Sequence, residues 1–126
     1  MRPTASDDPV EKETRDAMTI TFADFEKIDM RIGRIVSVED SLARKPTYRF
    51  LLDFGPDIGL KKSCAALVNY DKDALIGQLV VAVVNFPPKK MGPEISEVLI
   101  LGVPGLEGGV IRLQPEREVA LGARVY

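Results

Sequence analysis

A chain of 126 residues with 45% apolar and 29% charged side chains has the size and composition of one soluble domain with one core. It contains no histidine and one cysteine, which removes the commonest general base and metal ligand, any intrachain disulfide and any cysteine-based zinc site. The net charge of −2 comes wholly from residues 1–18, so the rest is neutral and lacks the basic excess of a general nucleic-acid binder.

Residues 1–18 are polar, with no apolar period, and are expected as a flexible N-terminal tail to a domain spanning residues 19–126. They hold no apolar block of the kind a secretory leader needs. Thr21 followed by Asp24 has the pattern of a helix cap. Phe22, Phe25 and Ile28 follow at helical spacing, which predicts a short N-terminal helix. From Ile28 the period changes to two. Ile28, Met30, Ile32, Val36 and Val38 share one face, Arg34 breaks the series, and Gly33 beside it predicts a bulge or bend. Tyr48, Phe50, Leu52 and Phe54 form one face of a second strand. Gly55-Pro56-Asp57 turns the chain, and residues 58–66 predict a weaker strand carrying Lys61 and Lys62. Residues 71–76 predict a short helix closed by Gly77.

Residues 79–84 and 98–101 are continuously apolar, which predicts strands buried on both faces. Residues 110–113 supply a last strand. Short strands, one bent at a glycine, with minor helix predict an all-β fold in the form of a small, nearly closed barrel. The longest uncharged stretch, residues 74–88, has 15 residues. A membrane-spanning helix needs roughly 20. The expectation is a cytoplasmic protein with no membrane insertion.

Catalytic chemistry finds little support. No histidine is available to activate a nucleophile. Cys64 sits among small residues and reads as a buried structural thiol. The glycines at 102, 105, 108 and 109 lack the spacing of a phosphate loop. No catalytic residue, metal or cofactor is assigned, and the chain does not read as an enzyme. The cationic clusters are Arg44-Lys45 with Arg49, Lys61-Lys62 and Lys89-Lys90, which serve equally well as solvated surface charge.

The most informative stretch is Asn85-Phe86-Pro87-Pro88-Lys89-Lys90-Met91-Gly92-Pro93-Glu94-Ile95-Ser96. It leaves one buried strand through two prolines, displays two lysines and a methionine, and leads into the next. This stretch, continued to Leu99, resembles the signature of the tRNA-binding domain family, Asn-Leu-Lys-Pro-x-Lys-Met-Arg-Gly-x-x-Ser-x-x-Met, at Asn85, Pro88, Lys90, Met91 and Ser96. Asp29-Met30-Arg31-Ile32-Gly33 is similar to the family's first-strand motif. Phe25-Glu26-Lys27-Ile28-Asp29-Met30-Arg31, Asp53-Phe54-Gly55, Val84-Asn85-Phe86-Pro87-Pro88 and Ser96-Glu97-Val98-Leu99-Ile100-Leu101-Gly102 resemble its CsaA-type export chaperone branch. The resemblance covers residues 22–126. It implies a five-stranded OB-fold β-barrel, a homodimer, and a role in protein export that binds unfolded or precursor polypeptides and the export ATPase.

Two readings follow. In the first, Phe86, Pro87, Pro88, Met91 and Ile95 form a peptide-binding groove kept open by the prolines. A plainer alternative has Phe86 and Ile95 plugging the barrel end. In the second reading the chain is a tRNA-binding module, acting in trans or with a synthetase. Lys89 and Lys90 then carry the phosphate contacts, and Arg31, Lys61, Lys62, Asn85 and Ser96 are further candidates. Gly92-Pro93 stands where the wider family has Arg-Gly, and Pro87 and Leu99 also depart from its pattern. These changes weigh against tight tRNA binding.

Overall fold

The structure, a computed structural model, describes residues 17–126. The expected tail over residues 1–18 therefore falls, up to residue 16, outside the described residues. At Thr21 the anticipated cap is a complete capping box. The Asp24 amide donates to Thr21 Oγ1 (3.1 Å) and the Thr21 amide donates to Asp24 Oδ2 (3.0 Å), starting helix α1 (Phe22–Glu26). These bonds from Thr21 hold the Asp24 carboxyl below the usual carboxylate range. No residue of α1 is buried. Side chains distant in sequence fasten its C-terminal end instead. Arg124 Nη2 donates to the Glu26 carbonyl (2.7 Å) and Asn85 Nδ2 to that of Lys27 (2.6 Å).

The remaining elements are β1 (Met30–Asp40), β2 (Tyr48–Asp53), β3 (Leu60–Ala65), α2 (Lys72–Leu75), β4 (Leu79–Val83), β5 (Lys89–Met91), β6 (Glu94–Ser96), β7 (Leu99–Ile100), β8 (Gly102–Pro104) and β9 (Val110–Arg112). Five strands form one antiparallel sheet in the order β3-β2-β1-β4-β7. The hairpins β5–β6 and β8–β9 are added to it. This is the expected nearly closed five-stranded barrel with a short N-terminal helix. Its core contains Ile35, Val38, Phe50, Leu52, Phe54, Leu75, Val80, Ala82, Val98 and Ile100.

β1 pairs with β4 through residues 30–34 and with β2 through residues 34–40. The register slips between Ile35 and Ser37, so the bulge falls at Val36 and not at Gly33. One extra residue moves the alternation to the other face. Ile35 and Val38, three residues apart, are therefore both buried while Val36 is exposed; Ile28, which precedes the strand, is exposed as well, and the single face read from the sequence is corrected. Gly33 has a different task. A Cβ there would lie 2.7 Å from Phe54 Cε1, so its missing side chain makes room for a buried ring.

β4 is covered on both faces, as expected. Residues 98–101 are not. Val98 and Ile100 are buried but Leu99 is 48% exposed, so the two-sided expectation fails there. β7 has two residues, too few for a full ladder, and polar groups complete the seam with β3. The Glu97 amide donates to the Lys62 carbonyl (2.8 Å), and the buried Ser63 hydroxyl donates to that of Val98 (2.8 Å). On the far side, residues 122–125 return along β1. The Ile32 amide donates to Ala123 O (3.0 Å), and the Gly122 and Val125 amides donate to Ile32 O and Met30 O (2.8 and 2.9 Å).

Candidate functional site

The stretch after β4 contains a hairpin. Pro87 and Pro88 carry the chain out of the barrel, and β5 pairs with β6 through Lys89↔Ser96, Lys90↔Ile95 and Met91↔Glu94. The two-residue loop is Gly92-Pro93, with Gly92 at φ 62°. Positive φ at the first loop residue belongs to the primed turns that match strand twist, and glycine adopts it without strain. Side chains alternate across the hairpin. Lys89, Met91, Glu94 and Ser96 share one face, while Lys90 and Ile95 share the other and are exposed.

A groove lies on each side of this hairpin. The apolar groove, 420 Å³, is lined by Phe86, Pro87, Met91, Val98 and Leu99, with Lys89, Cys64, Ser96 and Glu97 between them. Past Cys64, Met91 and Leu99 a cavity of 260 Å³ extends it to Ala65, Ala66 and Val110. Burial pushes the Cys64 thiol above its ordinary range. The polar groove, also 420 Å³, lies between the hairpin tip and β1–β3. Its lining includes Ser37, Glu39, Arg49, Leu51, Lys62, Glu94 and Ile95.

Glu94 decides where the hairpin sits. Its side chain is almost wholly buried, and Oε1 accepts from the Leu42 amide (3.0 Å) and from Arg49 Nη1 (3.4 Å). The other Arg49 nitrogen bonds to Glu39. One carboxylate thus joins the hairpin tip to β2 and to the loop carrying Arg44 and Lys45. In the sequence Glu94 is one loop acid among many, and no local pattern marks it. Ser96 closes the hairpin's other end. Its Oγ accepts from the Cys64 amide (3.2 Å) and donates to the Val98 carbonyl (3.0 Å).

The structure sorts the residues singled out from the sequence. Lys89 and Lys90 are exposed on the hairpin, and Lys62 lines the polar groove beside its tip. Lys61 is half-buried opposite Leu52. Arg31 is engaged internally: Nε donates to Asp29 Oδ1 (2.6 Å) and Nη1 to the Gly122 carbonyl (2.9 Å). Both ends of the Asn85 amide are taken, by the Lys27 carbonyl and by the Asp29 amide (3.0 Å). Arg31, Asn85 and Ser96 thus make architectural bonds. Of the five apolar candidates, Phe86, Pro87 and Met91 meet in one groove, while Ile95 borders the other and Pro88 lines neither. Phe86 and Ile95 are 54% and 52% exposed, so neither plugs the barrel. The buried Val98 forms the floor of the apolar groove, and Leu99 and Cys64, both expected to be buried, complete it as partly accessible residues.

Among the described residues no helix is long and apolar enough to cross a membrane. Residues 30–124 match the family model described as "Putative tRNA binding domain". A CsaA chaperone protein from Picrophilus torridus is 45% identical, with TM-score 0.81 over 86% of this chain and 100% of that one. A CsaA chaperone from Bacillus anthracis is 40% identical, with TM-score 0.79 over 86% and 99%. The methionine–tRNA ligase of Thermococcus onnurineus is 36% identical over 111 residues, which are 84% of this chain and 14% of the ligase. This chain thus spans a small part of the ligase and the whole of the Picrophilus chaperone. With its OB-fold barrel and a family match over most of its length, the chain belongs to the tRNA-binding domain family, in the branch of the CsaA chaperones.

Proposed function

We propose that the protein is a non-enzymatic chaperone that holds unfolded or precursor polypeptides in the groove of Phe86, Pro87, Met91, Val98 and Leu99. The observation that carries this reading is an apolar groove left open on a finished barrel, with Phe86 and Leu99 about half exposed. Pro87 and Pro88 limit the entropy lost when a ligand is held, and Met91 adapts to side chains of different shape. The likeness to CsaA chaperones supports a cytoplasmic homodimer acting in protein export and delivering clients to the export ATPase. Residues 19–126 are its working unit. β8–β9, where Val103 and Ile111 pair and are exposed, offers an apolar surface to a second copy.

A second reading is favoured by one observation. Lys62, Lys89 and Lys90 surround the hairpin, and no acidic side chain pairs with them among the described residues. With the family match and the likeness to methionine–tRNA ligases, this supports tRNA binding on the cationic rim. A salt titration beside an aggregation-suppression assay separates the two activities. Loss of tRNA affinity with rising salt reports phosphate contacts. Suppression that persists in high salt reports apolar capture. A protein that suppresses no aggregation at any salt concentration is not a chaperone.

A further inference from the structure

The hairpin beside the apolar groove has an unfinished edge. A two-residue loop makes Met91 and Glu94 the pair that exchanges both main-chain hydrogen bonds, so Lys90 and Ile95 form the next, non-bonded pair. The amide and carbonyl of Lys90 therefore point away from β6. Among the described residues neither meets a main-chain or side-chain partner. The edge is one residue deep. Pro88 precedes it without an amide, and the Gly92-Pro93 turn ends it. Such an edge is too short to pair chains into a growing sheet, but it offers one donor and one acceptor to a single strand.

Resting on the polypeptide-binding reading above, we propose that the client is held as an added β-strand on this edge. An extended segment exchanges two main-chain hydrogen bonds with Lys90. Alternation then fixes its side chains. The residue opposite Lys90 projects to the solvent face, beside the Lys90 ammonium, where a carboxylate is the complementary charge. Its two neighbours project to the other face, over the groove of Phe86, Met91 and Leu99, where apolar side chains fit. The substrate class is an extended segment of the pattern apolar–acidic–apolar. The main-chain bonds give sequence tolerance and the groove supplies selection.

The test measures binding of a short fluorescein-labelled peptide with Leu-Asp-Leu at its centre to the full chain and two variants. Lys90→Ala removes the side-chain charge and keeps the amide. Lys90→Pro also removes the amide, which the β5–β6 ladder does not use and which an edge position can lose. The expected result is affinity within about threefold of the parent for Lys90→Ala and about tenfold weaker for Lys90→Pro. The same peptide N-methylated at its Asp should lose a similar factor against the unmodified protein, a measurement independent of how Lys90→Pro folds. Equal binding of the methylated and plain peptides overturns strand addition while leaving a polypeptide-binding groove intact. A change of oligomeric state in Lys90→Pro with peptide affinity retained assigns the edge to a second copy and also overturns it. Peptide bound no more tightly than a Gly-Ser control removes both this inference and the reading beneath it.

Discussion

Arg49 on β2 reaches across the polar groove to Glu94 beside the hairpin turn, 3.4 Å from Nη1 to Oε1. The hairpin that carries Lys89, Lys90 and Met91 is thereby tied to the barrel at its tip, although its β5 edge is free. Glu94→Ala removes the acceptor for both Leu42 and Arg49. Arg49 is partly exposed and keeps Glu39, so the loss falls below that of a fully buried pair, about 1–2 kcal/mol. Urea unfolding measures it. Hydrogen exchange at Met91, whose amide the β5–β6 ladder uses, should accelerate more than at Leu52 in the core. Equal acceleration at Met91 and Leu52 would mean that Glu94 stabilises the whole barrel and not the hairpin.

Arg31→Ala should act on stability and not on RNA. It leaves the Gly122 carbonyl without its guanidinium and takes from Asp29 its closest cation, at a cost of about 1–2 kcal/mol. Thermal unfolding should show the loss while tRNA affinity at low salt stays within about twofold. A large fall in tRNA affinity with stability unchanged would return Arg31 to the RNA footprint.

The double replacement Lys89→Glu with Lys90→Glu reverses two exposed charges on the hairpin. It should weaken tRNA binding whatever the base sequence and reduce the salt dependence by about two phosphate contacts. Filter binding across a salt series reads both quantities. Unchanged affinity would move the footprint to Arg44, Lys45 and Lys62.

Met91→Ser tests the groove. Met91 is half-buried and lines both the apolar groove and its extension. Aggregation suppression should fall while stability changes by less than about 1 kcal/mol. A loss of about 2 kcal/mol or more would place Met91 in the core.

Cys64 reports on the same groove without mutation. Its raised pKa, caused by burial, lowers the thiolate fraction at any given pH below that of a free thiol, and the thiolate is the reactive form. Alkylation near neutral pH should be slower than for a free cysteine and should accelerate as pH rises through the thiol's pKa. Bound peptide should slow it further. Indifference to saturating peptide would show that the ligand does not lie over Cys64.

The sequence makes the barrel strands legible because burial on one face leaves a period of two. Phe50, Leu52 and Phe54 are read correctly for that reason. The Val36 bulge escapes because an inserted residue preserves composition and moves only the phase. Gly33 is noticed as a glycine and given the wrong task, since the Phe54 ring that requires it lies outside any local window. The same limit governs the site. Lys89, Lys90, Phe86 and Met91 stand out through their unusual neighbours in the chain. Arg49, Glu94 and Leu99 join them only through the fold. Asn85 and Ser96 are recognisable as motif residues, but their bonds are to the backbone of distant segments, which no spacing reveals.

The return of residues 122–125 to the start of β1 bears on biosynthesis. Met30 and Ile32 emerge from the ribosome well before the amides and carbonyl that satisfy one side of their backbone. Until Val125 is available, that margin of the nascent barrel offers unpaired groups to any neighbouring chain. Folding must therefore wait for a contact between two ends of the domain, a separation that raises contact order and slows the final step. A chain stalled before Gly122 would hold most of its core residues and still expose a sticky margin. Ribosome-bound intermediates of this protein should thus need protection of their own.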